Sequence, residues 1–253
     1  MFWRCCGAMI FAILFFASLW AGVQNALAGG GSFVTLPALM LAGMDARAAN
    51  ITSTIALFPA QIALGWTGRG NVCGAAGLSL PVLVAISLVG GALGAILLLV
   101  TPPSFFAHLV PWLVLFATIV FAWGSFGPKR ENAGGLDRRA AMAAQFGIAI
   151  YGGYFGGGIG FLMLAALTAA GLAMRNAGAT KNMLAAVMNA SAVAIFVFSP
   201  EVRWLQAGIS CAGAVAGGIC GALMLNRVNE RVLRVVVVVI GAALTVGLFL
   251  RAG

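Results

Sequence analysis

The sequence has 253 residues, of which 62% are hydrophobic and only 8% are charged. So little polar surface cannot cover a soluble globule, and the composition predicts a polytopic membrane protein whose surroundings are a lipid bilayer. The net charge of +9 comes from 14 scattered Lys and Arg residues, which favour a positive-inside bias of the loops and exclude a nucleic-acid-binding surface.

The first apolar stretch, residues 6–42, is too long to form one membrane helix. At 1.5 Å per residue it would reach about 55 Å, nearly twice the ~30 Å hydrocarbon core of a bilayer. The three glycines at 29–31 supply the break, because glycine leaves the helical region at little cost. We predict a helix over 7–28 and a half-helix over 33–42, whose positive N-terminal end points at the break.

Three further apolar segments follow, at 49–66, 76–100 and 105–126, and each is long enough to span a membrane. A basic linker then occupies residues 127–139, and its charge predicts a cytoplasmic location. The turn at 101–103 carries no charge, which is consistent with the opposite side of the membrane.

The second part of the chain repeats the pattern of the first. A segment at 140–155 leads to a glycine cluster at 156–160, a half-helix at 161–170, and spanning segments at 179–198, 204–225 and 231–250. Residues that recur at a spacing of 128 include Gly29 and Gly157, Phe33 and Phe161, Gly43 and Gly171, Arg47 and Arg175, and Thr52 and Thr180. We predict two homologous units of about 125 residues, at 1–128 and 129–253, as expected of a transporter.

Two topologies are compatible with these segments. If each first segment and its half-helix cross the membrane once together, the chain has eight spans and the two units run parallel. If the two form a re-entrant hairpin, each unit crosses three more times and the units are inverted. The number of basic residues that each topology places inside slightly favours the inverted arrangement, but it excludes neither topology.

Polar residues near the start of the segment after each half-helix predict a central binding site. Thr54 and Gln61 are two helical turns apart on one face, and Asn182 and Asn189 correspond to them at the spacing of 128. Polar side chains within a membrane normally face the bundle interior or a cavity. The predicted substrate-binding residues are Gly29, Gly30, Gly31, Ser32, Thr52, Ser53, Thr54, Gln61, Gly156, Gly157, Gly158, Thr180, Lys181, Asn182 and Asn189.

The chemistry of this set suits an oxyanion. Helix N-termini and successive backbone N–H groups bind anions without a formal charge on the protein, and Lys181 adds one. The five acidic residues, in contrast, lie at segment ends or in loops, whereas cation pumps usually bury a carboxylate. A small anion is therefore the predicted substrate.

The same residues also have a structural interpretation. Glycine clusters often serve close helix packing, and this is the preferred explanation for Gly90, Gly91 and Gly94 and for their counterparts at 217, 218 and 221. Lys181 could extend to the membrane interface beside Arg175 instead of facing a site.

No residues typical of a metal centre, a cofactor site or an activated nucleophile are found in the sequence. The five cysteines lack metal-ligand spacing and are expected to be free thiols. Ser32 lies beside glycines, but no neighbouring His or carboxylate is available to activate it. We predict no metal, no cofactor and no enzymatic activity.

The chain resembles the TauE/SafE sulfite exporters, also called the toluene sulfonate uptake permease family. The resemblance extends over nearly the whole chain and rests on residues 29–33, Leu36-Pro37, Gly43, Arg47, residues 152–158 and the Ala-Thr-Lys-Asn stretch at 179–182. It implies a permease of the bacterial inner membrane that exports sulfite or a related sulfur oxyanion or organosulfonate. Unit two departs from the family pattern, because Leu164-Ala165 replaces the Leu-Pro of unit one.

The sequence therefore favours a secondary transporter that works by alternating access around the half-helix site. An anion channel that uses the same site as a filter, or a membrane scaffold without transport, are the alternatives. Substrate identity, direction, coupling ion and association into a homo-oligomer stay open.

Overall fold

The regular secondary structure of the described part of the chain consists of helices and one isolated β-bridge between Ala75 and Leu78. A computed structural model describes residues 2–27, 29–126, 136–224 and 230–252. Its ten helices over these residues are α1 (Phe2–Leu27), α2 (Ser32–Leu41), α3 (Ala46–Thr67), α4 (Leu80–Val100), α5 (Pro103–Phe126), α6 (Arg138–Tyr154), α7 (Ile159–Ala169), α8 (Met174–Phe196), α9 (Trp204–Met224) and α10 (Glu230–Ala252).

The helices coincide with the predicted segments, and most of the differences are at their starts. α3 begins earlier than predicted, because Asp45 caps it by accepting hydrogen bonds from the N–H groups of Arg47 and Ala48, at 3.0 Å each. Over the described residues, six helices are long and apolar enough to cross a membrane: α1, α3, α4, α5, α8 and α9. α10 contributes the shorter apolar stretch Val238–Leu250. Most of the linker, residues 127–135, lies outside the described residues.

Both predicted breaks are confirmed. Gly29 and Gly30 have φ angles of +94° and +80°, and Gly156 and Gly158 have +73° and +76°. This left-handed region is costly for residues with a Cβ atom, so glycine is required there. The half-helices that follow, α2 and α7, have 10 and 11 residues.

The helix before each break, α1 or α6, packs through glycines against a helix from the other half of the chain. Along α9, Gly213 contacts the backbone of Phe15, Gly217 that of Leu19, and Gly221 that of Val23. Residue numbers rise together, so α1 and α9 are parallel. On α4, Gly90 contacts Ala149 of α6, and Gly94 contacts the α6 backbone between Ile150 and Tyr154. α4 and α6 are therefore parallel as well. The predicted packing role of Gly90, Gly94, Gly217 and Gly221 is confirmed.

An ion-pair cluster around Arg47 marks one end of the bundle, which we call the Arg47 face. The guanidinium pairs with Glu201, with Nε donating to Oε2 at 3.0 Å, and Nη1 donates to the carbonyl oxygens of Thr101 at 2.5 Å and Leu99 at 3.3 Å. The Arg47 side chain is only 14% exposed. It therefore ties together the start of α3, the α4–α5 turn and the α8–α9 loop.

The opposite end, which we call the linker face, holds the start of α6 and the end of α7. The N–H of Leu136 donates to the carbonyl oxygen of Ala169 at 3.0 Å. α6 runs parallel to α4, away from this face, so α7 must turn back to it. α1 likewise runs parallel to α9, away from the Arg47 face, and α2 returns to Arg47. Each pair, α1–α2 and α6–α7, is therefore a hairpin that begins and ends at the same face of the bundle.

Replacing Gly217 by alanine should destabilise the protein by about 1–3 kcal/mol, because the new Cβ would overlap the Leu19 carbonyl and force α9 away from α1. The matched control is Gly208→Ala on the same helix, where nothing lies within 4 Å and alanine should be neutral or slightly stabilising. Thermal unfolding in detergent measures both. Equal unfolding temperatures would contradict the packing role.

Replacing Arg47 by glutamine should cost roughly 1–3 kcal/mol, because a mostly buried Glu201 carboxylate and two carbonyl groups lose their donor. Arg175 is the counterpart of Arg47 at the spacing of 128 but is exposed, so Arg175→Gln should leave stability within about 0.5 kcal/mol. Denaturation of both variants under one detergent condition checks the difference.

Candidate functional site

A cavity of about 30 Å³ lies where the two breaks meet. It is large enough for two or so water molecules or one compact ion. The residues around it come from α1, the first break, α2, α3, the second break, α7 and α8: Asn25, Gly29, Gly30, Ser32, Gln61, Leu64, Gly156, Ile159, Gly160, Lys181, Asn182 and Ala185. Seven of the predicted site residues are among them.

The first break is held by two carboxamides at the end of α1. Gln24 Nε2 donates to the carbonyl oxygen of Gly30 at 3.1 Å, and Asn25 Oδ1 accepts from the N–H of Gly31 at 2.8 Å. The N–H of Gly29 in turn donates to the Gln24 carbonyl oxygen at 2.8 Å. These bonds satisfy backbone groups that a membrane interior would otherwise leave without partners.

The second break receives a carboxamide from α3, because Asn50 Nδ2 donates to the carbonyl oxygen of Tyr154, the last residue of α6, at 3.1 Å. The N–H groups of Gly156, Gly157 and Gly158 make no hydrogen bond to any acceptor in the described part of the chain. They precede α7, whose N-terminus adds partial positive charge. Since Gly156 lines the cavity, this end of the site offers backbone donors to an occupant.

Lys181 brings a basic side chain into the cavity. Its residue is 7% exposed, and a Cβ atom placed on Gly29 or Gly160 would lie 3.9 or 3.7 Å from its Nζ. The interpretation in which Lys181 extends to the interface is therefore wrong. Among the residues that the structure describes, no carboxylate lines this cavity or pairs with Lys181.

α3 and α8 meet at the side of the cavity through the predicted polar stripes. Asn189 Nδ2 donates to Gln61 Oε1 at 2.6 Å, and these two residues are 128 positions apart. Gln61 and Asn182 line the cavity, whereas Asn189 lies behind Gln61. Two positions that correspond in the two parts of the chain are thus in direct contact.

Eight predicted site residues do not line the cavity, namely Gly31, Thr52, Ser53, Thr54, Gly157, Gly158, Thr180 and Asn189. Ser53 Oγ and Thr35 Oγ1 share a hydrogen bond of 2.5 Å, and Thr54 donates to the Asn50 carbonyl oxygen at 2.9 Å. These hydroxyl groups are occupied by partners within the protein. Helical spacing alone could not distinguish them from cavity-facing groups.

Thr52 and Thr180 each attach a loop of the opposite part of the chain. Thr52 Oγ1 accepts from the N–H of Arg203 at 3.3 Å, just before α9. Thr180 Oγ1 accepts from the N–H of Cys73 at 3.1 Å and donates to its carbonyl oxygen at 3.3 Å, before α4. Their positions indicate a structural role at the two faces.

Sequence reasoning missed Gln24 and Asn25. The search followed the spacing of 128, and the positions that correspond to them are Gly152 and Gly153. Two adjacent carboxamides within an apolar run, directly before a glycine break, are a signal that would have found them. The apolar lining residues Leu64, Ile159 and Ala185 carry no comparable signal.

The site as a whole is rich in hydrogen-bond donors and free of carboxylates over its described lining. Amino, amide, hydroxyl and backbone N–H groups converge on a space the size of a small ion. Among the described residues, no three His, Cys, Asp or Glu side chains come together as metal ligands. The arrangement is suited to binding a compact anion.

Comparison with known proteins agrees with a transport role. The family model described as "Sulfite exporter TauE/SafE" matches residues 14–248. A "Probable membrane transporter protein" of Haemophilus influenzae is 28% identical, covering 94% of this chain and 94% of the relative. The "Probable membrane transporter protein YfcA" of Escherichia coli K12 is 26% identical, covering 94% and 88%.

A third relative, "Probable membrane transporter protein ORF9" of a Sinorhizobium species, is 26% identical over 94% of this chain and 92% of its own length. No solved structure matches the chain. The family model covers both glycine breaks, the cavity and the six membrane-span candidates, except for residues 9–13 of the span in α1. The chain is thus a multi-pass membrane protein that belongs to the TauE/SafE sulfite exporter family of membrane transporters.

Proposed function

We propose that the protein is a secondary transporter of a small anion and that the anion binds in the cavity between the two glycine breaks. The observation that carries this proposal is Lys181, a buried basic side chain in a cavity without a carboxylate in its described lining. Ionisable residues within membrane proteins face a partner or a pathway, since burying them alone is expensive. A bound anion supplies the missing partner.

The substrate class that fits best is a sulfur oxyanion such as sulfite. The family description names sulfite, and the cavity of about 30 Å³ favours a compact ion over an organosulfonate with a bulky substituent. Several oxygen atoms around one centre could accept from Lys181, from the Gly156 N–H and from neighbouring donors together. The bacterial relatives support an inner-membrane location.

An inverted pair of units supports alternating access. α1 packs on α9 and α6 on α4, while α3 packs on both α8 and α9 and α8 packs also on α4. These contacts between units 1–128 and 129–253 thus recur with the roles exchanged, and the two re-entrant hairpins enter from opposite faces. If the two units exchanged conformations, a central site would open first to one side of the membrane and then to the other.

Basic residues favour the linker face as the cytoplasmic side. Arg69, Arg138, Arg139 and Arg175 lie at this end of the described helices, whereas Arg47 and Arg203 lie at the other. Arg47 is also neutralised by Glu201. The positive-inside rule then places the N-terminal end of α1 outside.

A carrier and an anion channel that uses the same cavity as a filter differ in their transport kinetics. Saturable uptake with counterflow would support the carrier, whereas flux linear in concentration without counterflow would favour the channel. A scaffold would give no flux of any anion in reconstituted vesicles.

Replacing Lys181 by methionine keeps the length of the side chain and removes its charge. Uptake of labelled sulfite into proteoliposomes should fall roughly 10- to 100-fold, because a charge-assisted hydrogen bond in a buried site is lost. Arg175→Gln, a charge removal on the same helix at the exposed end, should leave uptake unchanged. Sulfate, thiosulfate, sulfoacetate and a carboxylate serve as competitors, and unimpaired uptake by Lys181→Met would refute the site.

Single cysteines in a variant without the five native ones test the inverted arrangement. Cysteines at Gly70 and Asp137 should react with an impermeant maleimide from the cytoplasmic side, because both positions are exposed at the linker face. Cysteines at Pro102 and Pro200 should react from the outside, since they flank the Arg47 cluster. Reaction of all four from one side would contradict the topology.

A further inference from the structure

We infer that Asn25 is an anion-binding residue, which donates a hydrogen bond from its side-chain Nδ2 to the anion that Lys181 attracts. This inference rests on the proposed function and extends it to α1. It makes the anion a bridge between the first hairpin and α8, which belong to different units of the chain.

The orientation of the Asn25 carboxamide is fixed by the backbone. Its Oδ1 accepts from the N–H of Gly31 at 2.8 Å, and an N–H group can only donate. The Nδ2 group must therefore occupy the other position of the carboxamide. The hydrogen bond between Gln61 and Asn189 does not fix its carboxamides in this way, because exchanging the N and O atoms on both residues preserves the bond. This bond therefore does not determine which side-chain atom of Gln61 faces the cavity.

The Nδ2 group of Asn25 has no hydrogen-bond partner within the described residues, although Asn25 lines the cavity and is only 9% exposed. A buried donor left unpaired is costly, so such groups are normally paired with protein, water or a ligand. A buried donor that needs an acceptor, on a residue that lines the cavity, is suited to an oxygen atom of an anion.

The first break can supply a carboxamide donor at this position, whereas the second break cannot. The position that corresponds to Asn25 is Gly153, and a Cβ atom there would overlap the carbonyl oxygen of Gly91. Close packing of α6 on α4 therefore excludes a side chain on that side. The cavity is consequently asymmetric, with a neutral donor from α1 and a cation from α8.

This asymmetry defines the chemical class of the ligand. The anion needs at least two acceptor oxygens that point in different directions, one toward Lys181 and one toward Asn25. Oxyanions with three or four oxygens around one central atom meet this requirement, whereas a halide has a single centre. Sulfite, sulfate and thiosulfate should bind more tightly than chloride.

Three substitutions separate ligand binding from support of the break. Asn25→Asp keeps the shape and the acceptor for Gly31, removes the Nδ2 donor and adds a negative charge facing Lys181. Asn25→Ala removes the donor without adding charge. Asn71→Asp makes the same chemical change in the short 3-10 turn Arg69–Asn71, outside the cavity, and is the matched control.

The test is calorimetric titration of the purified full chain in detergent with sulfite, sulfate and thiosulfate, together with thermal unfolding with and without each anion. We expect Asn25→Ala to weaken binding roughly 10-fold, as for loss of one hydrogen bond to a charged ligand. Asn25→Asp should abolish binding, unfold at a higher temperature than wild type without anion because the carboxylate pairs with Lys181, and gain no stability from added anion. Asn71→Asp should bind as wild type does.

Each contrary result has a distinct meaning. If wild type binds and Lys181→Met does not, but Asn25→Asp binds with unchanged affinity, Asn25 only supports the break and this inference is overturned. If wild type binds none of the three anions, the inference fails together with the proposed function. Should Asn25→Ala fail to fold, Asn25→Asp decides alone, since it retains the bond to Gly31.

Discussion

The structure depends on one constraint, which is that backbone polar groups inside a bilayer must find partners within the protein. Two helices of this protein, α1 and α6, end where their last carbonyl and next N–H groups cannot be solvated by lipid. At the first break, Gln24 and Asn25 satisfy these groups from the side. The second break retains N–H groups that are unpaired within the described residues, and the cavity lies between the two breaks. The site thus forms where backbone polar groups at the two breaks need hydrogen-bond partners.

Close packing makes this arrangement possible. The glycines of α4 and α9 allow the backbones of α6 and α1 to approach without intervening side chains. The hairpins are thereby held against the opposite part of the chain, which brings their breaks together. The same closeness excludes a carboxamide at Gly153, so packing also determines which side of the cavity carries polar side chains.

Much of the fold could be predicted from the sequence, because membrane helices must be apolar and long, and glycine must stand where helices break. Ten segments, both breaks and the glycine contacts were predicted correctly. The site was predicted less well. Spacing shows which residues share a helix face, but it cannot show that Thr52 and Thr180 attach loops, or that Asn25 faces the cavity without a counterpart. Those facts depend on how helices from distant parts of the chain cross.

The contact between Gln61 and Asn189 has a consequence for the origin of the chain. In an assembly with two-fold symmetry, a residue meets its own copy only on the symmetry axis. Two residues 128 positions apart that meet in this way occupy the axis that two separate copies of one unit would share. Under the proposed two-unit organisation, gene duplication and fusion would preserve that contact while freeing its two halves to diverge, here to Gln and Asn. On this proposal, an ancestor of half this length, inserted in both orientations, would have paired through one identical side chain at the same place.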